Sequence, residues 1–509
     1  MVSDKSLYQR FLESRNVQLS ELETNLYDLP DESSLYGIER IAERIREAVY
    51  DNEPTVIFGH DDPDGITSTY ILYKFLNDIG FQGHSYYIPN RNLDSHGIQD
   101  SFVNHVREKG YKLVITVDNG ISAKQGVEKL NSLGCDVIIT DHHLIQTEML
   151  PDAYAMMNPH LPQCQYPFKS LAGVGVALML IRYLGKIWEH PIDPASYFWA
   201  AVGSIADKVP MIGLNRVIVS HVLEHFEEVQ DPTVQFLLRN YSRINSKTEI
   251  FNFITYTSRL IANGREESGH HSGLSFINQL SDAKAKLFER LEEQKNLWES
   301  ELNRVFSFLE TLTDEFVGNF FVYYDDDGVI PYALLGTAAT FIVNRLGIPT
   351  IMLKQHNSHT VCEGRCKDGF NMVEAFTHCK DHLIQFGGHA KAAGFSMEHS
   401  SYDPFLECFN SYLSEHYTSS DSDLDIEYDT ECMLEEMDQE TWKALEAHLP
   451  WGQKNPEPIL KVKSLRAADL SGTWSLDSGS LHIARDLCKD CLVMWRSQRQ
   501  MRILKILED

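Results

Sequence analysis

Three stretches of this chain run as apolar, β-prone segments and stop on an acid or a histidine. They are Thr55-Val-Ile-Phe-Gly-His-Asp-Asp-Pro-Asp-Gly65, Leu113-Val-Ile-Thr-Val-Asp-Asn-Gly120 and Val137-Ile-Ile-Thr-Asp-His-His143. Continuous apolar runs bounded by turn residues read as strands of a parallel sheet, which is covered on both faces and so keeps no polar alternate positions. In such a sheet the ligand crevice opens at the carboxyl ends of the strands. The pattern therefore gathers His60, Asp62, Asp64, Asp118, Asp141, His142 and His143 at one rim. Burying that many like charges without compensation is prohibitive, so the cluster points to divalent metal.

His60, Asp62 and Asp64 are two residues apart, and alternate residues of extended chain point the same way. Pro63 and Gly65 fit a strand-to-helix turn, with Thr67 or Ser68 as the cap of the helix that follows. Asp118 adds a carboxylate whose two oxygens could bridge two ions, and His142 adds an imidazole. A fourth apolar segment, Ala200-Ala-Val-Gly-Ser-Ile-Ala-Asp207, brings Asp207. Mixed carboxylate and imidazole donors suit Mn2+ or Mg2+ better than structural zinc. A single aspartate after a strand is ordinarily a helix cap or turn residue. Four segments that each end on donor residues exceed what capping requires.

A chain of 509 residues is too long for one core and predicts several domains. Residues 1–52 read as a helical lead-in and 53–245 as an α/β domain, with helices over Ser68 to Ile79 and Ala123 to Leu133. Residues 246–315 read as connecting helices; Asp282 to Leu312 lacks Pro and Gly and is one long polar helix. A second, smaller α/β unit covers 316–418, and short alternating segments such as Ile459 to Lys463 and Ser480 to Ile483 make 419–509 a small β domain. Nine cysteines suggest reduced thiols, and Cys488-x-x-Cys491 lacks the second pair that zinc needs. The sequence has no run of about 18 apolar residues and no signal-like start, which makes a cytoplasmic location the expectation. The net charge of −28 argues against binding nucleic acid over the whole surface and leaves room for a local groove.

These motifs resemble the DHH phosphoesterase superfamily, through Asp141-His142-His143, and within it the RecJ single-strand-specific exonucleases. The branch is selected by Ile88-Pro-Asn-Arg91 and Asn455-Pro-Glu-Pro458, and Asn158-Pro159, Gly203 to Pro210, and Arg259-Leu-Ile-Ala-Asn-Gly-Arg265 fall into line with it. Glu363-Gly-Arg365 and Gly387-Gly-His389-Ala-Lys391-Ala-Ala-Gly394 are similar to the DHH-associated domain, and Pro450 to Pro458 resembles the start of an OB-type domain. The resemblance implies an α/β fold, with a parallel-sheet DHH domain joined by a long helix to a DHH-associated domain and followed by an OB-like β domain.

It also implies roles. His60, Asp62 and Asp118 would hold one ion; Asp64, Asp118, His142 and Asp207 would hold the other. His143 would contact the scissile phosphate or order the attacking water, with Asp141 in the catalytic set. Arg91 and one or both of Arg259 and Arg265 would grip a terminal 5′ phosphate, where a guanidinium fork suits phosphate oxygens. Arg365, His389 and Lys391 would line a groove, and Gly387 and Gly388 would let backbone approach a strand closely. Trp451 reads as a packing residue rather than a stacking platform.

The expected activity is 5′-to-3′ hydrolysis of single-stranded DNA between two Mn2+ or Mg2+ ions, in repair and recombination. Single-stranded DNA is the expected partner, a single-strand-binding protein or a helicase the candidate protein partner, and a monomer the expected state. Two rivals share the fold. A phosphodiesterase for short oligonucleotides or cyclic dinucleotides would not need the C-terminal domain or the phosphate arginines. A metal-free replication scaffold would lack ligands, whereas each expected position is occupied.

Overall fold

The computed structural model describes residues 5–16, 25–90, 97–145, 147–264, 270–279, 283–314, 316–356, 359–367, 369–417, 426–470, 474–476 and 488–507. They form two compact units, Met1–Lys295 with Tyr428–Asp509, and Asn296–Glu427.

The first unit is built on β1 (Thr55–Phe58), β2 (His84–Tyr87), β3 (Leu113–Val117), β4 (Asp136–Thr140) and β5 (Ala155–Met157). The order is β2-β1-β3-β4-β5 and every pairing is parallel. β1 and β3 are wholly buried, as their unbroken apolar text demands. Successive side chains feed opposite cores. Ile57, Ile115 and Ile138 meet Ile41, Ile66 and Val174, whereas Val56, Val114 and Val137 meet Phe102, Val127 and Leu130. The chain leaves β1 toward β2 and then returns past β1 to β3. The topological switch point thus falls between β1 and β3, where a doubly wound sheet opens a crevice.

The helix after β1 runs Pro63–Asp78, five residues earlier than the sequence reading. Proline is preorganised for a first helical position, and Asp62 is the cap, its Oδ1 accepting from Gly65 N at 2.9 Å. Thr67 and Ser68, expected as caps, stand one turn in and donate back to Pro63 O and Asp64 O. The fourth apolar segment is the last part of helix Pro194–Ala206. Gly203 lets it press on the β1 helix, since a Cβ there would sit 2.4 Å from Thr67 Oγ1.

The second unit carries β6 (Phe321–Tyr324), β7 (Thr350–His356), β8 (His359–Arg365), β9 (Gln385–His389) and β10 (Ala392–Met397), in the order β6-β7-β8-β10-β9. Only the β6–β7 pair is parallel. Met372–His378 and Tyr402–His416 cover one face. Leu335–Leu346 covers the other, together with Val305 and Leu309 from the long helix Ala283–Thr313.

The C-terminal strands are β11 (Thr430–Cys432), β12 (Ile459–Arg466), β13 (Ser475–Leu476), β14 (Cys488–Ser497) and β15 (Gln500–Ile506). They make one mixed sheet, β11-β12-β14-β15-β13, within the first unit. The lead-in helix Leu7–Arg15 is bonded to this region. Arg15 pairs with Asp429 at 2.6 Å, Arg10 with Glu436 at 2.8 Å, and Tyr8 Oη lies 3.1 Å from His448 Nε2. Burial pushes the His448 imidazole down to about 4. Trp451 is buried beside His448, as a packing residue should be. Ser480 to Ile483 lies outside the described residues. Among the described residues no helix is long and apolar enough to cross a membrane.

Candidate metal centre

The carboxyl ends of β1, β3 and β4 and the end of helix Pro194–Ala206 converge on one cluster. Three overlapping sets of donor atoms lie within 4.8 Å of one another: His60, Asp62 and Asp118; Asp64, His142 and Asp207; Asp118, His142 and His143. Asp118 and His142 each belong to two sets. Asp118 follows β3 with φ +59°, a left-handed conformation that costs a non-glycine residue energy and collects at functional sites. Its N–H donates to Thr140 O at 3.0 Å, which fixes the bend against β4. Gly173 stands so close that a Cβ there would meet Asp118 Oδ1 at 2.3 Å.

The electrostatics favour a cation. His142 Nδ1 lies 2.9 Å from Leu171 O, an acceptor only, so Nδ1 carries the proton. In the neutral ring Nε2 then presents a lone pair to Asp118 Oδ1 at 3.1 Å, Asp207 Oδ2 at 3.8 Å and Asp64 Oδ2 at 3.9 Å. Asp118 Oδ1 is buried and has no hydrogen-bond partner among the described residues. Burial drives Asp64 up to about 7, with Asp207 adding to it, and burial with Asp64 drives Asp118 well above the carboxylate range. Asp207 is raised by burial as well, although His142 opposes it. Burial opposes the charged form of His142, yet Asp64, Asp207 and Asp141 hold its pKa above the ordinary imidazole value. These groups must share protons or share a cation. Asp207 also caps the C-terminal end of its helix, the end where the dipole disfavours an anion. Carboxylates with imidazole and no thiolate make a donor set that fits Mn2+ or Mg2+.

Asp64 is oriented from far along the chain. Gly173 N and Val174 N each donate to it at 2.8 Å, from the N-terminus of helix Gly173–Ile187. Asp141, which the sequence reading places in the catalytic set, is buried and held by four hydrogen bonds. Its Oδ1 accepts from His142 N, His143 N and His143 Nδ1 at 2.7, 3.1 and 2.7 Å, and its Oδ2 accepts from Ile121 N at 2.9 Å. Burial alone would raise Asp141, but the bond and charge of His143 and the Ile121 N–H outweigh it and hold the carboxyl low. The same bond raises the pKa of His143, whose side chain stays half exposed. The sequence reading missed Leu171 O and the Gly173 and Val174 amides as orienting groups. It quoted Asn158 without a role; Asn158 Nδ2 donates to His143 O at 2.9 Å.

A family model described as DHH family, N-terminal domain, matches residues 54–201. The single-stranded-DNA-specific exonuclease RecJ of Salmonella typhimurium is 30% identical over 481 residues, covering 89% of this chain and 82% of that protein. The chain belongs to the RecJ family. RecJ of Bacillus subtilis is also 30% identical, over 459 residues, and this chain spans 57% of its length. Among solved structures, RecJ of Thermus thermophilus in complex with Mn2+ matches with a TM-score of 0.76 at 20% identity, over 99% of this chain and 78% of that chain. An exonuclease RecJ bound to manganese matches with a TM-score of 0.62 at 24% identity, over 75% and 95%. Both likenesses are likenesses of fold.

The RecJ motif residues outside the cluster divide. Arg91 and Arg265 lie outside the described residues, as does the His389 side chain. Arg259 is exposed on helix Lys247–Ala262, near Tyr241, whose pKa burial raises against the opposing charge of Arg259. Arg365 pairs with Glu363 at 2.9 Å, and its guanidinium lies over Gly336. Lys391 is exposed at the β9–β10 turn. Gly388 has φ +137°, and a Cβ there would meet Ala392 O and Ala393 Cα at 2.5 Å, so its glycine serves the strand pair itself. A Cβ on Gly387 would meet nothing within 4 Å.

Proposed function

We propose that this chain degrades single-stranded DNA from the 5′ end, hydrolysing phosphodiester bonds with two Mn2+ or Mg2+ ions, in DNA repair and recombination. His60, Asp62 and Asp118 would hold one ion; Asp64, Asp118, His142 and Asp207 would hold the other. A pair of such ions supplies Lewis acidity to the phosphoryl group and charge compensation to the leaving oxygen. The protein supplies orientation. Asp141 binds His143 Nδ1, so Nε2 faces outward and can give a proton to the leaving 3′ oxygen or hold a phosphoryl oxygen. Arg91, with Arg259 or Arg265, would receive the terminal 5′ phosphate, and Arg365, His389 and Lys391 the following phosphates. The edge strand β9 would let the nucleic acid lie close to backbone at Gly387.

The observation that carries this reading is Asp118, a buried carboxylate at the switch point, in a strained backbone state and common to two donor sets. Single strands labelled at the 5′ or the 3′ end, and matching duplexes, are digested with Mn2+ or Mg2+. The reading requires loss of 5′ label as mononucleotide from single strands and little attack on duplex. Release of the 3′ label first, or equal degradation of duplex, contradicts it.

A further inference from the structure

The second unit holds two thiols side by side that none of the roles above uses. Helix Met372–His378 ends on Cys379, whose N–H donates to Ala375 O and Thr377 O. Cys408 stands in helix Tyr402–His416. Both helices cover the same face of the sheet, and their rings pack on either side of the sulfurs. The Phe376 ring, one turn before Cys379, lies 6.3 Å from that of Phe405 and 6.2 Å from that of Phe409. Phe405 and Phe409 bracket Cys408 along its own helix. On the next turn His378 meets Tyr412 at 5.1 Å. At this seam a hydrogen bond joins the Cys379 and Cys408 side chains.

Two features separate the pair from an ordinary packing contact. The sulfurs differ in access: Cys379 is 1% exposed, whereas Cys408 is half-buried. An oxidant arriving from solvent meets Cys408 first and finds Cys379 directly behind it, the arrangement of a reactive thiol and its resolving partner. Burial and the bond to Cys408 both push the Cys379 thiol up, so it keeps its proton next to the Cys408 sulfur. The second feature is what lies between them. Residues 380–407 contain β9 and β10 whole, and β9 is the edge strand, paired with β10. A bond between the two sulfurs closes a loop around that strand pair.

We propose that Cys379 and Cys408 are a peroxide-sensitive dithiol, oxidised to an intramolecular disulfide that clamps β9 and β10 to the helices covering them. The Cys408 sulfur attacks a hydroperoxide. The O–O bond breaks, Cys408 becomes a sulfenic acid, and the hydroperoxide leaves as an alcohol, or as water when it is hydrogen peroxide. The Cys379 sulfur then attacks the Cys408 sulfur. The S–S bond forms, the S–O bond breaks, and the hydroxyl leaves as water with the Cys379 proton. Two electrons pass from the thiol pair to the peroxide. Both thiols are free in the structure, which is the reduced state of the pair. The proposal stands apart from the nuclease reading, because this oxidation needs neither metal nor DNA.

The full chain, reduced and then freed of reductant, is treated with hydrogen peroxide, alkylated, digested and weighed by mass spectrometry. Expected is a linked Cys379–Cys408 peptide pair, two hydrogens lighter than its separate halves and lost on adding dithiothreitol. The oxidised chain should melt about 5 °C higher, because closing the loop restrains the unfolded chain. Cys408→Ser, at a half-buried position, should form no link and show no shift with peroxide. Cys488→Ser, which removes an exposed thiol from β14, should form the link as before. Thiols left free by peroxide, Cys408 ending as a sulfinic acid without a link, or Cys379 linked to another cysteine would each overturn the proposal. So would a peroxide-induced shift that persists in Cys408→Ser, or a linked chain that melts no higher than the reduced one.

Discussion

In the proposed function, the rim of the parallel sheet and the edge strand β9 of the second unit's sheet would meet a phosphodiester chain in opposite ways. At the rim, buried strands deliver carboxylates and imidazoles to a switch point, and burial makes each charge expensive until a cation joins it. At β9, exposed strand carries two consecutive glycines, and what it offers is the lack of side chains. Function at the rim depends on charges fixed against their own stability. At the edge the proposed contact would depend on backbone shape.

The largest effect that would break this contrast is at Asp118. Asp118→Asn keeps the shape and removes the charge. It should lower nuclease turnover at least 10³-fold, about 4 kcal/mol of transition-state stabilisation, while the metal-free protein melts at a higher temperature. Near wild-type turnover would remove the rim from the mechanism.

Next in size is a pH effect on the metal-free protein. Asp64 titrates near 3.8 when unfolded and at about 7 when folded. Between those values the folded state binds more protons, so stability falls as pH rises, by on the order of 4 kcal/mol from this group. Asp118, Asp207, His142 and His143, all raised, act in the same direction above the carboxylate range. Asp141, held low, contributes the opposite way, with stability lost as pH falls through its folded value. Urea unfolding with EDTA should therefore show weaker protein at pH 8 than at pH 5, and Mn2+ should restore it at pH 8. A flat profile would mean the rim charges are not strained.

The edge sharpens the contrast with smaller effects. Gly388→Ala puts a Cβ against backbone and should cost about 1–3 kcal/mol by thermal melting. Gly387→Ala should leave stability within about 0.5 kcal/mol. Gly387→Val should raise the Kd for single-stranded DNA several-fold with Mn2+ affinity unchanged. Arg365→Gln should raise KM a few-fold and leave turnover alone.

The rim was legible from the amino-acid text because a parallel strand is an uninterrupted apolar run, so the polar residue that ends it is conspicuous. Asp62 was legible as a donor but the cap was read at Thr67 or Ser68; the structure gives Asp62 both positions. What stayed hidden is what depends on distant partners. The amides of Gly173 and Val174 reach Asp64 across more than a hundred residues, and Leu171 O sets the tautomer of His142. Nor does local pattern reveal that the C-terminal sheet joins the first unit through Arg10 and Arg15, because ion pairs between chain ends carry no periodicity. Asp141 was assigned to the catalytic set from its triplet; the four hydrogen bonds it accepts, two of them from His143, were not legible there.

The central claim is that the rim side chains grip a pair of cations. Anomalous scattering at the manganese edge from a crystal soaked in Mn2+ tests it directly. The account predicts two peaks, one bounded by His60, Asp62 and Asp118 and the other by Asp64, Asp118, His142 and Asp207. A soaked crystal with no peak among those residues would contradict it.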